Sequence, residues 1–135
     1  MTSTVEHLNP EGLARNPAFT QAIAVSGPHR VIYVGGQDAV DPSGNVVGQG
    51  DIRAQAEQIF HNLRTALAAG GASLEHVVKW TIYVVQGQPL MPAFEVFRQQ
   101  WGERPNPPTI SVLYVAGLAN PEFLAEIDAV AVVPE

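Results

Sequence analysis

The sequence predicts an α+β fold in which one β-sheet carries two helices on one of its faces. Three features indicate this fold. The middle of the chain repeats apolar residues at helical spacing, a shorter segment near residue 95 does so again, and strand-type alternation follows each of them. The chain has 135 residues, enough for one packed domain over residues 1–135.

The first third of the chain is expected to hold an irregular segment followed by a β-hairpin. Residues 1–18 contain several Asn-Pro and Gly turn signals, so no regular element is predicted there. Two β-type runs over residues 20–26 and 30–35 flank a Gly-Pro-His turn, which is typical of a hairpin. A second turn is expected at residues 41–45, Asp-Pro-Ser-Gly-Asn.

The clearest helix is expected over residues 51–69. Its apolar stripe consists of Ile52, Ala56, Ile59, Phe60, Leu63 and Leu67. Gly70-Gly71 should end the helix, because glycine adopts the left-handed terminal conformation without steric cost. Ser73, with His76 in place of the usual acid, is expected to cap one further helical turn.

The second half of the chain should supply the remaining elements of the layer. A strand is predicted over residues 77–85, and a second helix over 92–101, with Pro92 in its first turn. Two final strands are predicted at about 110–115 and 124–133. The sheet face away from the helices would then be apolar, which favours contact between subunits. The residues assigned to that face are Val112, Tyr114, Leu124, Val130 and Val132.

Composition excludes several classes of function. The formal net charge is -6 and the seven basic residues are scattered, so no nucleic acid partner is expected. The four histidines lack metal-ligand spacing, so no metal or cofactor is expected, and no cysteine is present. No signal peptide is visible and no apolar run approaches the ~20 residues of a membrane span. We therefore expect a soluble, cytoplasmic protein without a membrane partner.

Two carboxylates stand out on the last predicted strand. Glu126 and Asp128 are two residues apart, so they share one face and have apolar neighbours there. Burial without a partner would make one of them an acid–base group or a residue that positions water. Hydrogen bonds or salt bridges to an adjacent subunit are the alternative, and the sequence leaves both open.

A glycine pair ends an earlier predicted strand, at Gly35-Gly36-Gln37. Such a pair permits close approach of a ligand to the backbone. It is equally suited to a bulge or to crowded packing.

Taken together, these segments resemble the Rid family, also called YjgF/UK114, over nearly the whole chain. The resembling segments are Phe19–Ala22, Val31–Gln37, Asp41–Gly44, Gln55-Ala56, Asn62-Leu63, Gly70–Lys79, Phe94–Phe97, Asn106–Pro108 and Ala125–Ala129. The resemblance implies a chorismate-mutase-like fold and a homotrimer with small-molecule clefts between its subunits.

The resemblance also implies a site. In the imine-hydrolysing members a glutamate on the last strand positions water, and an arginine after the Pro-Pro turn holds the substrate carboxylate. Glu126 matches the glutamate and is the expected catalytic residue. Phe19 and Gly36 match positions that line the pocket. Ile110 replaces the arginine, and Phe94 stands where many members have asparagine.

Two functions are compatible with this pattern. One is hydrolysis of C=N bonds in imines or enamines that carry no carboxylate. The other is non-catalytic binding of a small molecule, or regulation, on the same scaffold. The ribonuclease activity often assigned to the family fits poorly with the acidic charge and with the absence of a His/Lys cluster.

Overall fold

The structure, a computed structural model, describes residues 2–135 and has two helices packed on a mixed four-stranded sheet. The elements in chain order are β1 (Thr4–Leu8), β2 (Ala22–Ser26), β3 (His29–Gln37), α1 (Ile52–Ala69), a 3₁₀ turn (Leu74–His76), β4 (Val77–Val85), α2 (Leu90–Trp101), β5 (Thr109–Val115) and β6 (Ala125–Pro134). The sheet order is β3-β6-β4-β5, in which β4 and β5 are parallel and the other neighbours are antiparallel. The predicted α+β class is confirmed.

Local signals set the ends of α1 as predicted. Asp51 is extended, and its side chain accepts a hydrogen bond from the Ala54 N–H at 3.2 Å. The predicted apolar stripe is buried, and the helix ends at Ala69 before the glycine pair. In the next turn the Ser73 N–H donates to His76 Nδ1 at 3.0 Å, so the predicted cap is also present.

Helix α2 begins at Leu90, two residues before the predicted start, and ends at Trp101 as predicted. Pro92 still falls in the first turn, where backbone N–H groups have no partner within the helix. The two helices and the sheet enclose one core with an aromatic centre. The ring centroid of Trp80 lies 5.9 Å from Phe60, 5.1 Å from Phe97 and 6.1 Å from Trp101.

The start of the chain differs from the prediction. β1 pairs antiparallel with β2, and the two form a separate two-stranded sheet. The expectations of an irregular segment over 1–18, of a hairpin between 20–26 and 30–35, and of a single sheet are therefore wrong for these strands; Met1 lies outside the described residues. The cause is long-range packing at Gly27, where an added Cβ would lie 2.5 Å from the Thr2 carbonyl oxygen. Ser3 Oγ also donates to the carbonyl of Glu135, at 2.8 Å, which brings β1 to the end of β6.

The sheet face opposite the helices is called the open face here. It carries Tyr33, Tyr83, Leu113, Glu126, Asp128 and Val130. Tyr33 is 79% exposed, and Leu113 is also exposed.

Two residues expected on the open face lie elsewhere. Val112 and Tyr114 are in register with Ile82 and Val84, whose side chains are buried under the helices. Both point to the helix side, but they remain exposed because β5 is the outermost strand. The error arose because strand alternation fixes which residues share a face, but not which of the two faces the helices cover.

Candidate functional site

The Glu126 carboxylate lies against the backbone of Gly36. In the β3–β6 ladder Val34 pairs with Ala129 and Gln37 pairs with Ile127. Gly35 and Gly36 therefore oppose a single residue, which makes a β-bulge. A Cβ at Gly36 would lie 2.5 Å from Glu126 Oε2 and 2.7 Å from Cδ. The bulge thus places a glycine where the carboxylate needs the space.

Asp38 is a site residue that the sequence reasoning missed. Burial, a side-chain hydrogen bond with Glu126 and the charge of Glu126 raise the pKa of Asp38 from 3.8 to about 7. Asp38 Oδ1 is buried and has no hydrogen-bond partner in the described chain. The only sequence signal is an acidic residue directly after the Gly-Gly-Gln strand end.

The backbone around Asp38 is fixed from two sides. The Val40 N–H donates to the Asp38 carbonyl at 2.8 Å, which closes a tight turn after β3. Asn62 on α1 then donates to the carbonyls of Asp38 and Val40, each at 3.0 Å. Helix and bulge together hold the Asp38 carboxyl next to Glu126.

The second predicted carboxylate, Asp128, has a partner in its own chain. Tyr83 Oη donates to Asp128 Oδ2 at 3.2 Å. The charge of Asp128, followed by burial and this hydrogen bond, raises the pKa of the Tyr83 hydroxyl. Asp128 is thus held by a hydrogen bond within its own chain, an arrangement that neither of the two alternatives above included.

The acidic groups on the open face have no paired cation. Among residues 2–135 the ion pairs are Arg30–Glu135 and Arg53–Glu95. Neither includes Asp38 or Glu126. Lys79 is exposed on the open face, beside Val130 and two register positions from Asp128.

Ile110 and Phe94 lie on the helix side. Ile110 is in register with Trp80 and packs, partly buried, against the helix–sheet core. Phe94 on α2 stacks on Phe97 with centroids 5.9 Å apart. Phe94 also lines a cavity of about 370 Å³ between residues of α2, among them Arg98, and the segment 16–18.

Phe19 occupies a third place in the chain. It lines a cavity of about 360 Å³ with Arg15 and Pro107. The Thr20 N–H donates to the Pro108 carbonyl at 3.1 Å, which fixes Phe19 near the Pro-Pro turn. One chain therefore brings Gly36 and Glu126 together, whereas Phe19, Phe94 and Ile110 lie apart from them.

Residues 2–135 contain no group of three or more His, Asp or Glu side chains arranged to hold a metal ion. Neither α1 nor α2, nor the short 3₁₀ turn, has the length and hydropathy of a membrane-crossing helix.

Sequence comparison places the chain among known proteins. The family model described as Endoribonuclease L-PSP matches residues 12–133. A RutC family protein of Synechocystis is 33% identical over 117 residues, which cover 86% of each chain. The crystal structure of a Rid-family protein, YyfB from Yersinia pestis, has a TM-score of 0.83 at 30% identity and covers 96% of this chain and 98% of its own.

This chain belongs to the Rid family.

Two further Rid-family relatives have names that bear on chemistry. Human 2-iminobutanoate/2-iminopropanoate deaminase is 30% identical over 114 residues, which cover 84% of this chain and 79% of the human protein. Escherichia coli TdcF, solved with bound serine, has a TM-score of 0.69 at 28% identity and covers 76% of this chain and 80% of its own.

The Rid scaffold carries a distinct electrostatic arrangement in this chain. Glu126 sits in a crevice at a β-bulge, with a second carboxyl of raised pKa beside it and no paired cation. A carboxylate held in this way can accept a proton from water or bind a positively charged group. A negatively charged ligand group would be repelled there.

Proposed function

We propose that this Rid-family protein hydrolyses the C=N bond of an imine or enamine that carries no carboxylate. Glu126 acts as the general base that removes a proton from the attacking water. The observation that carries the proposal is the Glu126 carboxylate, held against Gly36 on the open face without a paired cation. The name of the human relative supports the choice of an imine as substrate.

The reaction would take place in a cleft between subunits of a homotrimer in the cytoplasm. Glu126 and Gly36 lie on the open face, whereas Ile110 and Phe94 lie on the helix side. These two groups can share one cleft only if the helix side of one subunit meets the open face of another. Tyr33 and Leu113, which are exposed on the two edge strands of the sheet, support such contact because a neighbouring subunit would cover them.

The proposed substrate class follows from charge. A substrate carboxylate would enter next to Glu126, and Ile110 offers no hydrogen bond at the position where the resemblance implies an arginine. An unpaired buried polar group costs ~1–3 kcal/mol, and a charge costs more. Since about 1.4 kcal/mol is a factor of ten, a carboxylate should lower affinity at least about tenfold. Neutral or positively charged imines with an apolar body avoid this cost.

The variant Glu126→Gln tests the proposal. It removes the base but keeps the size and hydrogen-bonding capacity of the side chain. Hydrolysis of amine-derived imines should fall to the uncatalysed rate, while sedimentation still shows a trimer. Turnover equal to wild type in this variant would refute Glu126 as the base.

A second candidate is binding or regulation without catalysis. It is favoured by the partly buried, apolar side chains of Ile110 and Phe94, which would line the cleft but cannot act in proton transfer. Serine bound to the related TdcF shows that a protein of this family binds a small molecule. Thermal-shift screening with apolar amines, aldehydes and ketones separates the two candidates. A ligand that stabilises the protein and is recovered unchanged favours binding, whereas conversion of the ligand favours hydrolysis.

A further inference from the structure

The reaction proposed above assigns no role to the Asp38 carboxyl. In the antiparallel β3–β6 register Gln37 pairs with Ile127, so the residue that follows β3, Asp38, is opposite Glu126, the proposed base. Its Oδ1 atom is buried without a partner, although its backbone is fixed by Val40 and Asn62. A buried polar atom of this kind needs an explanation.

We propose that Asp38 is a positioning residue for Glu126. Its protonated carboxyl donates a hydrogen bond to the Glu126 carboxylate, which holds that carboxylate against Gly36 with one oxygen free to accept a proton from water. This inference rests on the proposed role of Glu126 as the base. It adds a second acid to the site and a reason for the choice of substrate.

The chemistry of the pair is that of two carboxyls that share one proton. Two adjacent carboxylates cannot both be ionised without strong repulsion, so one keeps its proton to a higher pH. With one proton the pair carries a single negative charge, which matches the single positive charge of a protonated imine. The other titratable or charged groups on this part of the open face are Tyr33, Tyr83, Lys79 and Asp128, and α1 contributes the uncharged Asn62.

Asp38 stays protonated throughout the reaction, and Glu126 carries out every proton transfer. Water attacks the carbon of the protonated imine, Glu126 takes one water proton, and the C=N π electrons become the nitrogen lone pair. Glu126 then gives this proton to the nitrogen, which forms an ammonium leaving group. Next, Glu126 takes the hydroxyl proton as the C–N bond breaks, and a carbonyl compound and ammonia or an amine leave. Glu126 finally passes the proton to the released nitrogen, so the carboxylate is restored.

The raised pKa of Asp38 agrees with this arrangement. Below about pH 7 the proton is present and the hydrogen bond forms. Above that value Asp38 ionises, the two carboxylates repel each other, and Glu126 leaves its crevice. The rate of hydrolysis should therefore fall on the alkaline side with a midpoint near pH 7.

Asp38→Asn and Asp38→Ala separate positioning from a purely structural role. Asparagine keeps a donor to Glu126 but has no proton to lose, so kcat should stay within about tenfold of wild type. The fall with a midpoint near pH 7 should disappear, and any remaining alkaline fall should follow only the loss of the imine's own proton. Alanine removes the donor, and kcat should drop about a hundredfold while KM changes little, since a displacement of ~1 Å has effects of that order. Asp41→Asn is the matched control, because Asp41 only accepts backbone N–H bonds in its own turn.

A titration without substrate tests the pair independently of any reaction. Carboxyl ¹³C NMR of the intact protein should show one carboxyl that titrates near pH 7, lost in Asp38→Asn, lowered in Glu126→Gln and unchanged in Asp41→Asn. Absence of this titration in wild type, or an alkaline fall with the same midpoint in wild type and Asp38→Asn, would overturn the inference. If the titration behaves as expected but no amine-derived imine is hydrolysed, the hydrogen-bonded pair stands and the proposed function is wrong.

Discussion

Replacement of Gly36 by alanine tests the crevice that holds Glu126. The new Cβ would lie 2.5 Å from Glu126 Oε2, whereas non-bonded heavy atoms prefer about 3.5 Å. The carboxylate must therefore withdraw by about 1 Å, and a displacement of that size costs a catalytic group roughly a hundredfold in rate, or about 2.7 kcal/mol. We expect kcat for amine-derived imines to fall by that factor. The pKa of Asp38 should also fall, because Glu126 moves away from it.

The fold should tolerate the same change. Gly36 does not have a positive φ, and the atoms it would meet are at the free end of a flexible side chain. An alanine in a compatible backbone conformation changes the free energy of unfolding by only ~0.4–1 kcal/mol, in the stabilising direction. Urea denaturation measures this value, and single-turnover kinetics measure the rate.

Gly35→Ala is the matched control, because it lies in the same bulge and an added Cβ there has no atom within 4 Å. It should leave both the rate and the carboxyl titration near wild type. The reasoning fails if Gly36→Ala and Gly35→Ala have equal rates while both remain folded.

Three further variants test the packing of the core and the charge of the site. Gln55→Leu should lower the free energy of unfolding by at least ~2 kcal/mol in urea denaturation. The buried Gln55 amide donates hydrogen bonds to the carbonyls of Gly48 and Glu122 and accepts one from the Leu124 N–H, and leucine can make none of them. A loss below about 0.5 kcal/mol would show that these bonds do not stabilise the fold. Phe60→Ala should cost about 3–5 kcal/mol, since it opens a cavity beside Trp80, and a smaller loss would mean that the core collapses into the gap. The pKa of Asp38 is higher in the folded protein than its usual 3.8, so this group's contribution to wild-type stability should decline as pH rises from about 4 to 7. Asp38→Asn should remove that decline. Parallel curves of stability against pH for the two proteins would contradict the raised pKa of Asp38.

Elements with local signals could be predicted from the sequence. The stripe of α1 and the glycines after Ala69 act within a few residues, and the structure has them where expected. The alternation of β6 likewise places Glu126 and Asp128 on one face. Such features follow from helix and strand periodicity alone.

Features that depend on distant segments could not be predicted. β2 takes its hydrogen bonds from β1 because residues 2 and 3 pack at Gly27, and no pattern near the turn records that contact. The pairing of Asp38 with Glu126 requires β3 and β6 to be neighbours and the bulge to lie at Gly35-Gly36. A single acidic residue after a strand end gives no sign of such a partner.

The substrate class is the central claim, and a matched pair of imines tests it most directly. One imine is formed in situ by enzymatic oxidation of an amine, and the other from the amino acid with the same side chain, so the two differ only in the carboxylate. We expect kcat/KM to be at least about tenfold higher for the imine without a carboxylate. Equal values, or a preference for the imine of the amino acid, would contradict the account.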